Sequence, residues 1–165
     1  MALKPIYDLA KIKRVIVSTY QAVSGAGKEG IDELDAQVRD HSEGREMTAN
    51  ILPSASAEKH YPIAFNLIPQ IDVFCDNLYT KEEMKMVNET KKIMEDYEMR
   101  ITATTIRVPV YRSHSESVNI ELEKEVDLGA MREALAKFPG VTVQEILLSR
   151  NIRCRYILPK KTMFM

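Results

Sequence analysis

The sequence predicts an α+β fold, with a mixed, mostly antiparallel sheet backed by helices. Helical and strand-like segments follow one another without steady strand–helix–strand alternation, which disfavours a doubly wound parallel sheet. The chain has 165 residues, 45% of them hydrophobic and 28% charged, which suffices for one globular domain with a buried core. No internal repeat interrupts this pattern.

The first part of the chain predicts a helix, a strand, a turn and a second helix. Residues 4–11 suit a short helix with Pro5 in its first turn, where a missing N–H costs little. Residues 13–23 are rich in β-branched side chains, which favour a strand. The second helix is predicted to bury three apolar residues on one face: Ile31, Leu34 and Val38.

Two central segments lack the pattern of a regular element. Residues 40–57 are polar and predict a surface loop. Residues 61–74 are apolar, but Pro62 and Pro69 argue against a single helix or strand there. Cys75 follows and is interpreted as a small core residue.

The second half predicts a capped helix, two strands, a helix and a last short strand. Thr80 and Glu83 fit the capping box, in which both side chains satisfy exposed backbone donors. The buried stripe of this helix is predicted to hold Met84, Val87, Met94 and Tyr97. Residues 101–111 predict a strand, with Pro109 at an edge or bulge. The remaining elements are a half-buried strand at 118–122, a helix at 128–138 stopped by Pro139 and Gly140, and a strand at 141–146.

Composition excludes several classes of function. The net charge of -1 gives no general attraction to nucleic acid or to anionic lipid. No apolar run is long enough to cross a bilayer. Two cysteines without a CxxC pair predict free thiols in a reducing cytoplasm, and three histidines without metal spacing predict no metal site.

Gly25, Gly27 and Gly30 form a GxGxxG pattern between a strand and a helix. A dinucleotide site also needs a second parallel strand ending in an acidic residue about twenty positions later, where this chain has a polar segment. A Rossmann turn is therefore disfavoured. Two interpretations stay open: a turn that lets a ligand or backbone come close, and a plain start of a helix.

Two groups of charged residues are candidates for binding an anion. Glu82 and Lys85 share a helix face, either as a solvated ion pair or as a cation aimed at a substrate. Arg107 interrupts an apolar strand, so its guanidinium either faces water or grips a carboxylate. His114 lies in a nearby turn and is either a surface residue or a general acid/base.

Six segments together resemble the aspartate-semialdehyde dehydrogenase family. They occur in the family's order and lie at 2–8, 17–27, 65–72, 82–85, 88–93 and 107–116. The ordered set is far more specific than any one segment. It marks residues 1–144 as the family's dimerisation and catalytic domain, similar to the C-terminal domain of the glyceraldehyde-3-phosphate dehydrogenase-like group.

The resemblance implies an NADP-dependent oxidoreductase of lysine, methionine, threonine and diaminopimelate biosynthesis. The family reduces L-aspartyl 4-phosphate with NADPH to L-aspartate 4-semialdehyde and phosphate. The implied partners are a second copy in a homodimer and a small-molecule substrate, with neither nucleic acid nor membrane. By resemblance, His114 is the acid/base, Arg107 grips the substrate carboxylate and Gln21 positions the substrate. Glu82 contacts the substrate amine, Lys85 receives the phosphate, and Ser24 and Gly25 line the cofactor.

Two departures from the family set further expectations. The nucleophilic cysteine and the NADP-binding half fall upstream of the matching region, and neither Cys75 nor Cys154 takes the nucleophile's place. Residues 145–165 diverge, and we interpret them as a frameshift product. The chain is thus expected to be a fragment that is inactive alone. The alternative is a non-catalytic dimerisation or complementation module that pairs with a separately encoded N-terminal half. An unrelated binding domain is disfavoured by the ordered segments.

Overall fold

The structure is a computed structural model and describes residues 2–144. These residues divide into two compact units. The larger unit is Arg14–Ile120, and the smaller one combines the described residues 2–13 and 121–144. Every residue of the predicted site falls within the larger unit. The predicted divergent tail, residues 145–165, lies outside the described residues.

A three-stranded mixed sheet organises the fold and confirms the α+β class. The strands are β1 (Ile12–Gln21), β2 (Arg100–Arg107) and β3 (Ser115–Leu122), in the order β2-β1-β3. β1 and β2 are parallel, with Gln21 paired to Arg107 at the last position of the register. Because parallel strands end at the same edge of a sheet, this pairing brings two predicted site residues together.

The described residues form four α-helices and one 3₁₀ turn. They are α1 (Leu3–Leu9), the 3₁₀ turn (Val23–Ala26), α2 (Gly27–Ser42), α3 (Lys81–Met94) and α4 (Leu128–Lys137). No helix among residues 2–144 is long and apolar enough to cross a membrane.

The start of α3 is fixed by local capping and by a contact with β2. Thr80 Oγ1 accepts a hydrogen bond from the Glu83 backbone N–H at 3.3 Å, and Glu83 Oε2 accepts one from the Thr80 N–H at 2.8 Å. The predicted capping box is therefore confirmed. Glu83 Oε1 also accepts from the Thr105 N–H at 3.1 Å, which attaches the first turn of α3 to β2.

An apolar cluster of the larger unit draws several of its members from segments outside helices and strands. Its buried members are Val23, Leu34, Leu52, Ile63, Ala64 and Ile68. The predicted absence of a single regular element at 61–74 is confirmed. The prediction of a plain surface loop at 40–57 is wrong in two respects: α2 continues to Ser42, and Leu52 and Ala57 are buried.

Side-chain burial follows the predicted helix faces only in part. Leu34 and Met94 are buried, whereas Ile31, Met84 and Val87 are partly buried. Val38 is 40% exposed, whereas Gln37 beside it is fully buried. Gln37 tolerates burial because its amide is satisfied: Nε2 donates to the Thr48 carbonyl, and Oε1 accepts from the N–H groups of Ile63 and Ala64. Tyr97 lies beyond the end of α3 and is exposed.

The remaining differences concern Cys75, the last strands and the chain after α4. Cys75 is a free cysteine of intermediate exposure, so its assignment to the core is wrong. β2 ends at Arg107, before Pro109, which has no N–H for the ladder. Val118 is exposed, so the predicted apolar face of β3 is only partly buried. Residues 141–144 are not a strand, and positions 145–146 lie outside the described residues.

Candidate functional site

The site forms where the chain leaves the parallel ends of β1 and β2. The Val108 N–H donates to the Gln21 carbonyl at 3.0 Å, which continues the pairing past Arg107. Further on, the N–H groups of Val23 and Ser24 donate to the carbonyls of Val110 and Tyr111 at 2.9 and 3.1 Å. These bonds hold the two segments side by side for several residues after the sheet ends.

Arg107 is the most buried charged residue of the site, with 3% of its surface exposed. Its Nη1 donates to the Ala22 carbonyl at 2.8 Å and its Nη2 to the Pro53 carbonyl at 3.3 Å, whereas Nε has no partner. Burial lowers the pKa of the guanidinium, and the nearby negative charge of Glu82 partly offsets this. Of the two interpretations left open for this side chain, exposure to water is wrong.

Gly25 makes room for this guanidinium. A Cβ at position 25 would lie 2.7 Å from Arg107 Nη1 and 3.6 Å from His114 Cε1. Gly30 plays a similar part, because a Cβ there would lie 2.7 Å from the Val23 carbonyl oxygen. Gly25 and Gly30 therefore permit close packing, whereas a Cβ at Gly27 would meet no atom within 4 Å. The strand parallel to β1 is β2, which follows α3 in the chain and not the helix that the glycines begin.

His114 is exposed and is held by the same residue that holds Arg107. Its Nδ1 accepts a hydrogen bond from the Ala22 N–H at 3.1 Å. A neutral imidazole that accepts at Nδ1 carries its proton on Nε2. Ala22 thus uses its N–H for the histidine and its carbonyl for the arginine. This role of Ala22 has no signal in the sequence, because nearly every residue carries the same backbone N–H and carbonyl groups.

Gln21, Glu82 and Lys85 form a second chain of contacts. Gln21 is buried, and its Nε2 donates to Glu82 Oε1 at 3.2 Å. Glu82 Oε2 lies 3.7 Å from Lys85 Nζ, and the lysine side chain is 56% exposed. In this structure the Glu82–Lys85 contact is a solvated ion pair, which agrees with the simpler of the two predicted interpretations.

One unit of the chain therefore holds all seven predicted site residues near each other. A buried guanidinium, a carboxylate, an exposed imidazole and a solvent-facing ammonium can together bind a small ligand with charged ends and move a proton. Among residues 2–144, no group of three or more histidine, cysteine or acidic residues is arranged to hold a metal ion. Fold and site define an α+β domain that places a buried guanidinium and an exposed imidazole beside the parallel ends of two strands.

Comparison with known proteins identifies the family of this domain. Residues 3–151 match the family described as "Semialdehyde dehydrogenase, dimerisation domain". The aspartate-semialdehyde dehydrogenases of Aquifex aeolicus and Legionella pneumophila are 52% and 51% identical over 87% and 89% of this chain, and in each case over 40% of the relative. The structure of aspartate semialdehyde dehydrogenase II from Vibrio cholerae, complexed with ASA, is 46% identical with a TM-score of 0.78. It covers 86% of this chain and 40% of that protein.

The chain belongs to the aspartate-semialdehyde dehydrogenase family and carries its dimerisation domain. It spans about 40% of the length of the relatives that it matches. Its α+β architecture is that of the solved members of the family.

Proposed function

We propose that this chain is the substrate-binding and dimerising part of an aspartate-semialdehyde dehydrogenase. The overall reaction is the NADPH-dependent reduction of L-aspartyl 4-phosphate to L-aspartate 4-semialdehyde and phosphate, in the biosynthesis of lysine, methionine, threonine and diaminopimelate. The observation that carries this proposal is the buried guanidinium of Arg107, held by two backbone carbonyls beside Glu82 and His114. We place the protein in the cytoplasm, in keeping with the free thiol of Cys75.

The substrate carries three charged groups, and the site offers a partner for each. Arg107 supplies the planar fork that matches a carboxylate, and burial strengthens that interaction. Glu82 supplies the negative charge that the α-ammonium group of the substrate needs. Gln21 holds the Glu82 carboxylate in place through its hydrogen bond. Lys85 is exposed near the start of α3 and supplies a mobile positive charge for the phosphate.

His114 is the group that moves a proton. Because Nδ1 accepts from the Ala22 N–H, Nε2 is the atom that gives or receives the proton during acyl transfer. The nucleophile must be a thiolate, which splits the reaction into two easier steps. Neither cysteine of these 165 residues matches the family's nucleophile, so we predict that a polypeptide of this sequence alone does not catalyse the reaction.

The backbone amides of Ser24 and Gly25, which the resemblance assigns to the cofactor, are both used within the chain. The Ser24 N–H donates to the Tyr111 carbonyl and the Gly25 N–H to the Ala22 carbonyl, so neither amide is available for a phosphate. The space beside the Gly25 Cα is filled by Arg107. The predicted contact of Ser24 and Gly25 with NADP stays a prediction.

Complementation tests the proposal directly. The purified chain is mixed or co-expressed with the cofactor-binding half of the Aquifex aeolicus relative, which includes the region that this chain does not match. We expect NADP-dependent oxidation of aspartate semialdehyde in phosphate from the mixture and none from the chain alone. Activity of the chain alone would overturn the argument from the missing nucleophile. An inactive mixture in which the chain also fails to bind L-aspartate would overturn the enzymatic assignment.

A non-catalytic dimerisation or complementation module is the second candidate. It is favoured by exposed apolar side chains on the sheet, namely Ile16 and Tyr20 on β1 and Val118 on β3, since such positions suit burial by a partner. The proposed partners of such a module are a second copy of the chain and a separately encoded cofactor domain. Sedimentation equilibrium discriminates the candidates when it is paired with L-aspartate titration: a dimer that does not bind L-aspartate favours the module.

A further inference from the structure

We propose that Glu33, on α2, is a positioning residue for Arg107 and acts through the backbone of residues 50–53. The proposal deepens the proposed function, because it rests on Arg107 as the group that binds the substrate carboxylate. Glu33 makes no hydrogen bond to Arg107 itself. Its influence passes through three backbone N–H donors and one backbone carbonyl, whose hydrogen bonds the structure shows.

The first link joins α2 to the irregular segment. Glu33 Oε2 accepts hydrogen bonds from the N–H groups of Asn50 and Ile51 at 2.6 and 2.9 Å, and Oε1 accepts one from the Leu52 N–H at 3.1 Å. A carboxylate is suited to this task, because both of its oxygens accept and neither donates. Three consecutive amides are thereby fixed to one side chain on a regular helix.

The second link carries this constraint to Pro53. The Leu52 side chain is fully buried, and its carbonyl accepts from the Tyr61 N–H at 2.9 Å. Pro53 has no N–H, so it can make no ladder or turn bond of its own through that group. The Pro53 carbonyl therefore follows directly on the three residues whose amides Glu33 holds.

The third link is the guanidinium. Arg107 Nη2 donates to the Pro53 carbonyl at 3.3 Å, and Nη1 donates to the Ala22 carbonyl at 2.8 Å. The two carbonyls accept hydrogen bonds from different guanidinium nitrogens and thereby fix the plane of the guanidinium. Without the Pro53 acceptor, the guanidinium can turn about its bond to Ala22, and a bidentate contact with a carboxylate loses its alignment.

The test compares Glu33→Gln with Glu29→Gln in the full chain. Glu29 is an exposed acid in the first turn of the same helix, so the control removes the same charge without touching residues 50–53. The glutamine at position 33 keeps one acceptor oxygen and turns a donor group toward backbone donors. The readouts are the NMR signal of the Arg107 Nε–Hε pair, which disappears in Arg107→Lys, and the affinity for L-aspartate.

We expect Glu33→Gln to shift the Arg107 signal and to weaken L-aspartate binding about fivefold, the loss of one hydrogen bond to a binding group. Glu29→Gln should change neither. An unchanged Arg107 signal in Glu33→Gln would overturn the proposal. If the unmutated chain does not bind L-aspartate, the proposed function fails, and the Arg107 signal still decides the link to Glu33.

A second variant guards against simple unfolding. Glu33→Asp keeps the charge and withdraws the carboxylate by one methylene, so we expect a smaller shift of the same Arg107 signal in a folded chain. A purely structural role of Glu33 would lower the melting temperature and leave the Arg107 signal in place, which would contradict the proposal as clearly as no effect.

Discussion

The site offers two cations in contrasting surroundings. The strand-end region, which consists of Ala22, Gly25, Arg107 and His114, buries its cation to 3% exposure between two carbonyls. The helix-face region, Glu82 and Lys85, leaves its cation 56% exposed beside one carboxylate at 3.7 Å. Both were predicted to bind anionic ends of one substrate.

The contrast shows how one site can bind the two anionic ends of a ligand with different strength. A buried guanidinium with fixed acceptors needs little reorganisation when a carboxylate binds. The low dielectric of its buried surroundings strengthens the new contact. An exposed ammonium on a flexible stem contributes less and is screened by salt. We therefore expect the strand-end region to set affinity and the helix-face region to adjust it.

The largest expected effect separates chemistry from binding within the strand-end region. His114→Asn keeps an acceptor for the Ala22 N–H but cannot move a proton, so the complemented enzyme should lose about 10²- to 10⁴-fold in kcat. Affinity of the chain for L-aspartate should stay near its unmutated value. A parallel loss of kcat and affinity would show that the imidazole serves position instead of proton transfer.

Arg107→Lys tests the cation itself. Lysine cannot bridge the Ala22 and Pro53 carbonyls or present a fork, so L-aspartate affinity should fall about 30- to 100-fold. The free energy of unfolding should fall by about 1–3 kcal/mol, because a buried carbonyl loses its donor. Titration and urea unfolding measure the two effects. Arg39→Lys, at an exposed position of α2, is the control and should change neither.

Local features of this contrast could be predicted from sequence, whereas long-range ones could not. The capping box of α3 depends on Thr80 and Glu83 alone, so its geometry is encoded within four residues. The environment of Arg107 depends on the carbonyls of Ala22 and Pro53, which come from distant parts of the chain. Backbone acceptors cannot be recognised in a sequence. The sequence alone therefore leaves two interpretations of the guanidinium open, exposure to water and binding of a carboxylate.

Gln37 shows the same limit in the core. An apolar stripe predicted Val38 as the buried residue, but Gln37 is buried because backbone groups of the irregular segment satisfy its amide. The periodicity of apolar residues cannot anticipate such partners. The roles of individual site residues came from family resemblance, and those roles remain predictions that the variants test.

Gly25→Ala tests the packing of the strand-end region and should have a smaller effect than Arg107→Lys. The added methyl would lie 2.7 Å from Arg107 Nη1, and the guanidinium must move away from carbonyls that hold it. We expect about a tenfold loss of L-aspartate affinity, which is the result of a modest overpacking cost at the binding group. Gly129→Ala adds the same methyl on α4, outside the site, and should leave affinity unchanged. Equal affinity in both variants would mean that the guanidinium has room to spare.

Lys85→Ala should have the smallest effect. An exposed ion pair at 3.7 Å contributes at most about 1 kcal/mol, so the unfolding equilibrium constant and the L-aspartate dissociation constant should change by no more than about fivefold. The phosphate-dependent step should respond more, as a rise in the KM for phosphate of the complemented enzyme that shrinks when salt is added. Lys91→Ala, on the last turn of α3, is the matched control. If Lys85→Ala instead weakened L-aspartate binding as much as Arg107→Lys does, the division of labour between the two regions would be wrong, since an exposed charge would then be setting affinity.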